Sequence, residues 1–125
     1  MKLVLDAGAL IAIDRHDRAV GAMLRVAQLE RVPVCTSGGV VAQVWRNGAR
    51  QAALARSLAG VETAPIDGAA ARQVGLLLAK SKTSDVVDGH VALLAGPGDR
   101  VLTSDVSDIR RLLRARSVSA TIVRV

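Results

Sequence analysis

Nine of the eleven acidic residues in this 125-residue chain are Asp and only two are Glu. Asp is a poor helix former, at home in caps, turns and metal sites. Three places carry it in suggestive company. Asp6 ends the apolar run Leu3-Val4-Leu5. Asp85 and Asp88 stand three apart in Thr83-Ser84-Asp85-Val86-Val87-Asp88, which puts them on one face of a helix. Asp105 follows Val101-Leu102-Thr103-Ser104, with Asp108 three residues later. Carboxylates gathered in a small volume repel one another unless a cation is present. A hard divalent ion such as Mg²⁺ takes oxygen ligands and keeps most of its waters. Such a site lowers the pKa of a bound water and orients a phosphodiester. The same spacings also suit a plainer role: Asp85 with Asp88, and Asp105 with Asp108, fit the N-cap and first turn of helices. Asp6, closing an apolar strand, has no such stabilising reason to be acidic.

Convergence of these acids depends on the elements around them. Short apolar strands alternate with helical periodicity from end to end. Strands are expected over Lys2–Asp6, Val32–Thr36, Val61–Ile66, Arg100–Ser104 and Thr121–Val125. Helices are expected over Ala9–Leu29 (one or two), from Ser37 through Trp45, over Ala49–Leu58, from an Asp67 cap to about Lys80, over Val86–Ala95 and over Ile109–Arg116. Asn47-Gly48 is a candidate break. This alternation predicts one α/β domain over residues 1–125 with a mostly parallel sheet. With Trp45 the sole aromatic, the core must be Val, Leu, Ile and Ala, which suits strands buried on both faces. Chemistry in open α/β sheets sits beyond the carboxyl ends of the strands, at the topological switch point. If the first and fourth strands are neighbours, Asp6, Asp88 and Asp105 meet there.

Composition narrows the classes. The chain is half apolar, so disorder is excluded as the main state. The longest stretch without a charged residue, 32–45, is too short for the ~20 residues of a membrane span. Asp6 interrupts the apolar start before it reaches the ~7–15 residues of a secretory signal, and Cys35 is alone. A cytoplasmic protein is expected. Seventeen Lys and Arg, fourteen of them Arg, give a net charge of +6, which points to a polyanionic partner such as nucleic acid. Gly-x-Gly-x-x-Gly and Gly-x₄-Gly-Lys phosphate loops are missing. A receiver domain is disfavoured, because Lys82 is the last Lys. A haloacid-dehalogenase-type phosphatase is disfavoured too, because Asp6-Ala7-Gly8 is not Asp-x-Asp. No nucleophile elbow supports a Ser or Cys hydrolase.

Three blocks together are more specific: Leu3-Val4-Leu5-Asp6-Ala7-Gly8-Ala9-Leu10-Ile11-Ala12; Asp85-Val86-Val87-Asp88-Gly89-His90-Val91-Ala92-Leu93-Leu94-Ala95; and Val101-Leu102-Thr103-Ser104-Asp105-Val106-Ser107-Asp108-Ile109. In order and spacing they resemble a PIN domain, and more narrowly the VapC toxins of bacterial VapBC toxin–antitoxin pairs. The resemblance implies a three-layer α/β/α sandwich with a roughly five-stranded, mostly parallel sheet. It also implies a Mg²⁺- or Mn²⁺-dependent endoribonuclease acting on tRNA or ribosomal RNA, a homodimer, and inhibition by a VapB antitoxin. Carried over by position, the metal acids are Asp6, Asp88 and Asp105, with Asp108 auxiliary and Asp85 in reserve. The family's second acid, a Glu on the helix after the second strand, falls on Gln43. Gln keeps an oxygen but removes a charge, so metal should bind less tightly. The alternative reading is a PIN-fold module that binds RNA or antitoxin with weakened catalysis.

Gln43, Arg46, Asn47 and Arg50 are spaced as one polar helix face beside the site, which makes Arg46 and Arg50 candidate phosphate contacts. Trp45 reads as a core or dimer contact and His90 as structural. The charge is divided: residues 84–108 carry a net −4, and residues 109–125 hold five Arg and no acid.

Overall fold

The computed structural model describes all residues, 1–125. Its strands are β1 (Leu3–Leu5), β2 (Val34–Ser37), β3 (Glu62–Ala64), β4 (Arg100–Thr103) and β5 (Thr121–Arg124). Its helices are α1 (Ala7–Asp14), α2 (Arg18–Leu29), α3 (Gly38–Val44), α4 (Ala52–Leu58), α5 (Gly68–Ser81), α6 (Val86–Leu94) and α7 (Val106–Ala115). The five strands form one sheet in the order β3-β2-β1-β4-β5, and every pairing is parallel. The expected five strands are present, and the sheet is wholly parallel.

Chain order reverses between β1 and β4, which lie side by side. That is the switch point of an open α/β sheet, and it sets the carboxyl ends of β1 and β4 against each other. Val4, Leu5, Val101 and Leu102 are fully buried, as strands covered on both faces require. Helix α1 packs with α2, α3 and α4, while α5, α6 and α7 pack together; α6 lies against β1 and β2, and α7 against β5. The core is Leu, Val, Ile and Ala, with Cys35 the one exception.

Short polar side chains set the helix starts. Asp6, Asp17, Ser37, Asp67 and Asp85 cap α1, α2, α3, α5 and α6 by accepting backbone N–H bonds. Residues 9–29 resolve into two helices because His16 turns left-handed (φ 59°) and Asp17 restarts the helix. Helix α7 opens at Val106, three residues before the position expected, and absorbs Ser107 and Asp108. Residues 45–51 are not helical. This corrects the single polar face expected for Gln43, Arg46, Asn47 and Arg50: only Gln43 lies on α3. Gln51 explains the break. Its buried Oε1 accepts from the Arg46 and Asn47 N–H groups (2.7 and 3.0 Å). Its Nε2 donates to the Val44 carbonyl (3.0 Å) and to Asp14 (3.4 Å). One side chain thereby satisfies backbone groups that a continued helix would have used. Trp45 is 37% exposed and outside the core, which removes one of its two expected roles.

Candidate metal centre

Asp6 is 2% exposed at the end of β1. Its Oδ1 accepts from the Ala7 N–H (2.8 Å), and its Oδ2 accepts from the Thr103 hydroxyl (2.6 Å). Thr103 closes β4, and its Oγ1 in turn accepts from the Asp105 N–H (2.9 Å). Both roles of that hydroxyl are used, and it ties the end of β1 to the turn that carries Asp105. Asp88 enters from the first turn of α6 and is buried; Asp105 begins α7 and is exposed. One carboxylate oxygen from each of Asp6, Asp88 and Asp105 lies within 4.8 Å of the others.

The turn after β4 approaches α1 closely enough to restrict residue 8. A Cβ on Gly8 would stand 2.7 Å from Ser104 Oγ and 3.0 Å from the Ser104 nitrogen. Residue 8 therefore admits no side chain while Ser104 holds this place. Neither Thr103 nor Gly8 stood out among the candidate residues. Their signals were the Thr two positions before a strand-end Asp, and the Gly two positions after one.

Electrostatics single out Asp88. Burial, followed by the charges of Asp6, Asp85, Asp105 and Asp108, pushes its carboxyl up to about 7. Burial also raises Asp6, against the lowering effect of the Thr103 and Ala7 hydrogen bonds. Three carboxylates this close, two of them reluctant to ionise, make a donor set suited to a hard divalent cation. The residues fit such an ion.

The other expected residues are distributed around this centre. Asp85 caps α6 by accepting from the Asp88 N–H (2.9 Å), so it serves the helix and lies outside the three-carboxylate group. Asp108 is exposed in the first turn of α7, also outside the group, although its charge reaches Asp88. Gln43 is exposed on α3, and its amide makes no hydrogen bond within the chain. Arg46 turns back on its own helix: Nη1 donates to the carbonyls of Ala42 (3.0 Å) and Trp45 (2.7 Å), covering the C-terminal end of α3. Arg50 is exposed in the turn before α4. His90 is buried and hydrogen-bonded to Ser37 (2.6 Å), and burial lowers its pKa. It joins α6 to the end of β2.

No protein-family model matches the chain, and no curated protein matches it. Among solved structures, one similar chain belongs to VapBC2 from Rickettsia felis, bound to a DNA fragment from their promoter. It superposes with a TM-score of 0.70 over 98% of this chain and 99% of that one, at 14% identity. The fold is PIN-like. Within this PIN-like fold, three of the acids carried over by position, Asp6, Asp88 and Asp105, do meet at the switch point. The fourth position holds Gln43.

Proposed function

We propose that this chain is a divalent-metal-dependent endoribonuclease of the VapC toxin type, hydrolysing RNA phosphodiesters and restrained by a VapB-type antitoxin. The observation that carries the reading is the convergence of Asp6, Asp88 and Asp105 within 4.8 Å at the carboxyl ends of the central strands. The likeness to VapBC2 supports the choice of fold and of antitoxin class. The net charge of +6 supports an RNA substrate, tRNA or ribosomal RNA in this reading. A cytoplasmic homodimer completes it; no helix is long and apolar enough to cross a membrane.

Asp6, Asp88 and Asp105 would hold Mg²⁺ or Mn²⁺. When bound, the ion supplies Lewis acidity and a water of lowered pKa for attack on phosphorus. The chain's own contributions follow from its hydrogen bonds. Thr103 keeps one oxygen of Asp6 oriented and leaves the other to the Ala7 N–H, which fixes the carboxylate plane. Through the Asp105 N–H it also sets the start of α7. Burial and the neighbouring acids push the Asp88 carboxyl up to about 7, and a cation offsetting that repulsion would favour its ionised form. Asp85 holds the amide of Asp88 and lends a further negative charge without entering the group. Gln43 leaves this site one charge short, and a catalytically weakened RNA- or antitoxin-binding module is the competing reading.

One assay separates the two. Purified chain is incubated with structured RNA and Mg²⁺ or Mn²⁺ beside Asp6→Ala. Cleavage by the wild type alone supports the nuclease. RNA binding without cleavage by either protein favours the module, and equal cleavage by both marks a contaminant.

A further inference from the structure

We propose that the exposed edge formed by α7 and β5 is a phosphate track, which carries the RNA backbone to and from the carboxylates. The proposal deepens the nuclease reading and rests on it for the polymer bound.

None of the fourteen arginines has a carboxylate partner, because the ion pair of this chain joins Lys2 to Asp99 (3.2 Å). Two are committed elsewhere. Arg46 covers the end of α3, and Arg116 donates to the carbonyls of Ala92 and Ala95 (2.6 Å each) at the end of α6. Arg110, Arg111 and Arg114 are free and exposed on α7. Helix α7 buries Ile109, Leu112 and Leu113, so helical spacing turns Arg111 and Arg114 directly outward, with Arg110 on their flank. Arg114 suits the last turn of α7, where the helix dipole favours a cation, but Arg110 and Arg114, four apart, and Arg111 and Arg114, three apart, repel along the helix. Arg124 completes the edge. It pairs in register with Thr103, the residue that binds both Asp6 and Asp105, which puts its backbone one strand spacing (~4.8 Å) from that of Thr103, on the strand next to the centre. With a rise of ~1.5 Å per residue, Arg111 and Arg114 lie roughly 9 and 13–14 Å along the axis from Asp105. The row thus starts at the acidic centre and leads away from it.

Guanidinium groups in such a row suit phosphate oxygens. No aromatic side chain lies on this edge, so bases have no stacking platform and the contact is to the backbone. A second arginine group supplies an internal control. Arg18, Arg25 and Arg56 line a cleft of about 630 Å³ beside Val34 and Val61, at the amino ends of β2 and β3 and therefore at the opposite end of the sheet from Asp6.

The test is the salt dependence of binding to a fluorescein-labelled 20-nucleotide oligouridylate in EDTA, read by anisotropy. The variant is Arg110→Gln/Arg111→Gln/Arg114→Gln/Arg124→Gln. The control of equal charge loss is Arg18→Gln/Arg25→Gln/Arg31→Gln/Arg56→Gln, Arg31 being exposed in the turn before the amino end of β2. Each lost single-strand phosphate contact lowers the slope of log K against log salt by ~0.7. The track variant should lose about 3 units of slope, so its deficit against wild type shrinks about 50-fold between 50 and 200 mM salt. The control should keep the wild-type slope. An unchanged slope in the track variant, an equal fall in the control, or no binding by the wild type at 50 mM salt overturns the proposal; a track serving an acidic protein would give the first of these. Cleavage is scored separately: cleavage with an unchanged slope sinks the track alone, and a lowered slope without cleavage sinks the nuclease reading alone.

Discussion

Replacing Asp88 by Asn should stabilise the metal-free protein, by an amount that grows with pH between about 4 and 7 and then levels off. The carboxyl of Asp88 is raised from 3.8 to about 7 by burial and by the charges of Asp6, Asp85, Asp105 and Asp108. A raised carboxylic acid binds more protons folded than unfolded between those two values. Its contribution to stability is therefore full below the unfolded value and is lost as pH rises through the folded one. Asn copies the neutral acid and has no proton to lose. At about 1.36 kcal/mol per pKa unit, the shift sets a ceiling of ~4 kcal/mol on the cost of ionising Asp88 above pH 7. Half of that ceiling, ~2 kcal/mol, corresponds to roughly 6–12 °C in Tm for a domain of this size. The assay is thermal unfolding followed by circular dichroism in EDTA, for wild type and Asp88→Asn, from pH 3.5 to pH 8. The two curves should nearly coincide at pH 3.5, separate as pH rises between the two pKa values and run parallel above about pH 7, with the variant the more stable at pH 8. A variant equal to or less stable than wild type at pH 8 would refute the crowding of carboxylates on which the metal site is argued.

Three further outcomes follow from the same geometry. Thr103→Val removes the hydroxyl between Asp6 and Asp105, and should cost ~1–3 kcal/mol in urea unfolding and ~10–100-fold in Mn²⁺ affinity. Gly8→Ala forces Ser104 aside, so it should lower Tm, and Ser104→Gly in the same chain should recover part of the loss. Gln43→Glu restores a carboxylate at the one carried-over position that lacks it and should tighten Mg²⁺ binding by calorimetry; an unchanged affinity would place residue 43 away from the ion.

Much of the framework could be read from the chain because it depends on local chemistry. Alternating apolar runs and helical spacing foretold five strands in a parallel sheet, and Asp67 and Asp85 announced the helices they cap. Asp6 stood out as an acid closing an apolar strand, although the structure also gives it a local role, as the N-cap of α1. Its meeting with Asp88 and Asp105 needed only the adjacency of β1 and β4, which the structure supplies. What escaped the sequence was tertiary. Periodicity placed Arg46 and Arg50 on one helix face, yet the buried amide of Gln51 reaches back to Arg46 and Asn47 and ends the helix before them. Helical spacing alone leaves Asp85 and Asp88 alike, and the family resemblance prefers Asp88; the hydrogen bond from the Asp88 N–H and the burial of Asp88 show in three dimensions which is the cap and which the buried carboxylate. The role of Thr103 depends on a partner 97 residues away, which no local pattern encodes.

The central claim is that Asp6, Asp88 and Asp105 form one divalent-cation site. Mn²⁺ titration followed by electron paramagnetic resonance tests it most directly, on wild type and on Asp6→Asn, Asp88→Asn, Asp105→Asn and Asp85→Asn. Saturable binding by the wild type, weakened at least ~10-fold in the first three variants and within about threefold of wild type in Asp85→Asn, is the predicted result. Wild-type affinity retained in any of the first three variants, or no saturable binding by the wild type, would contradict the claim.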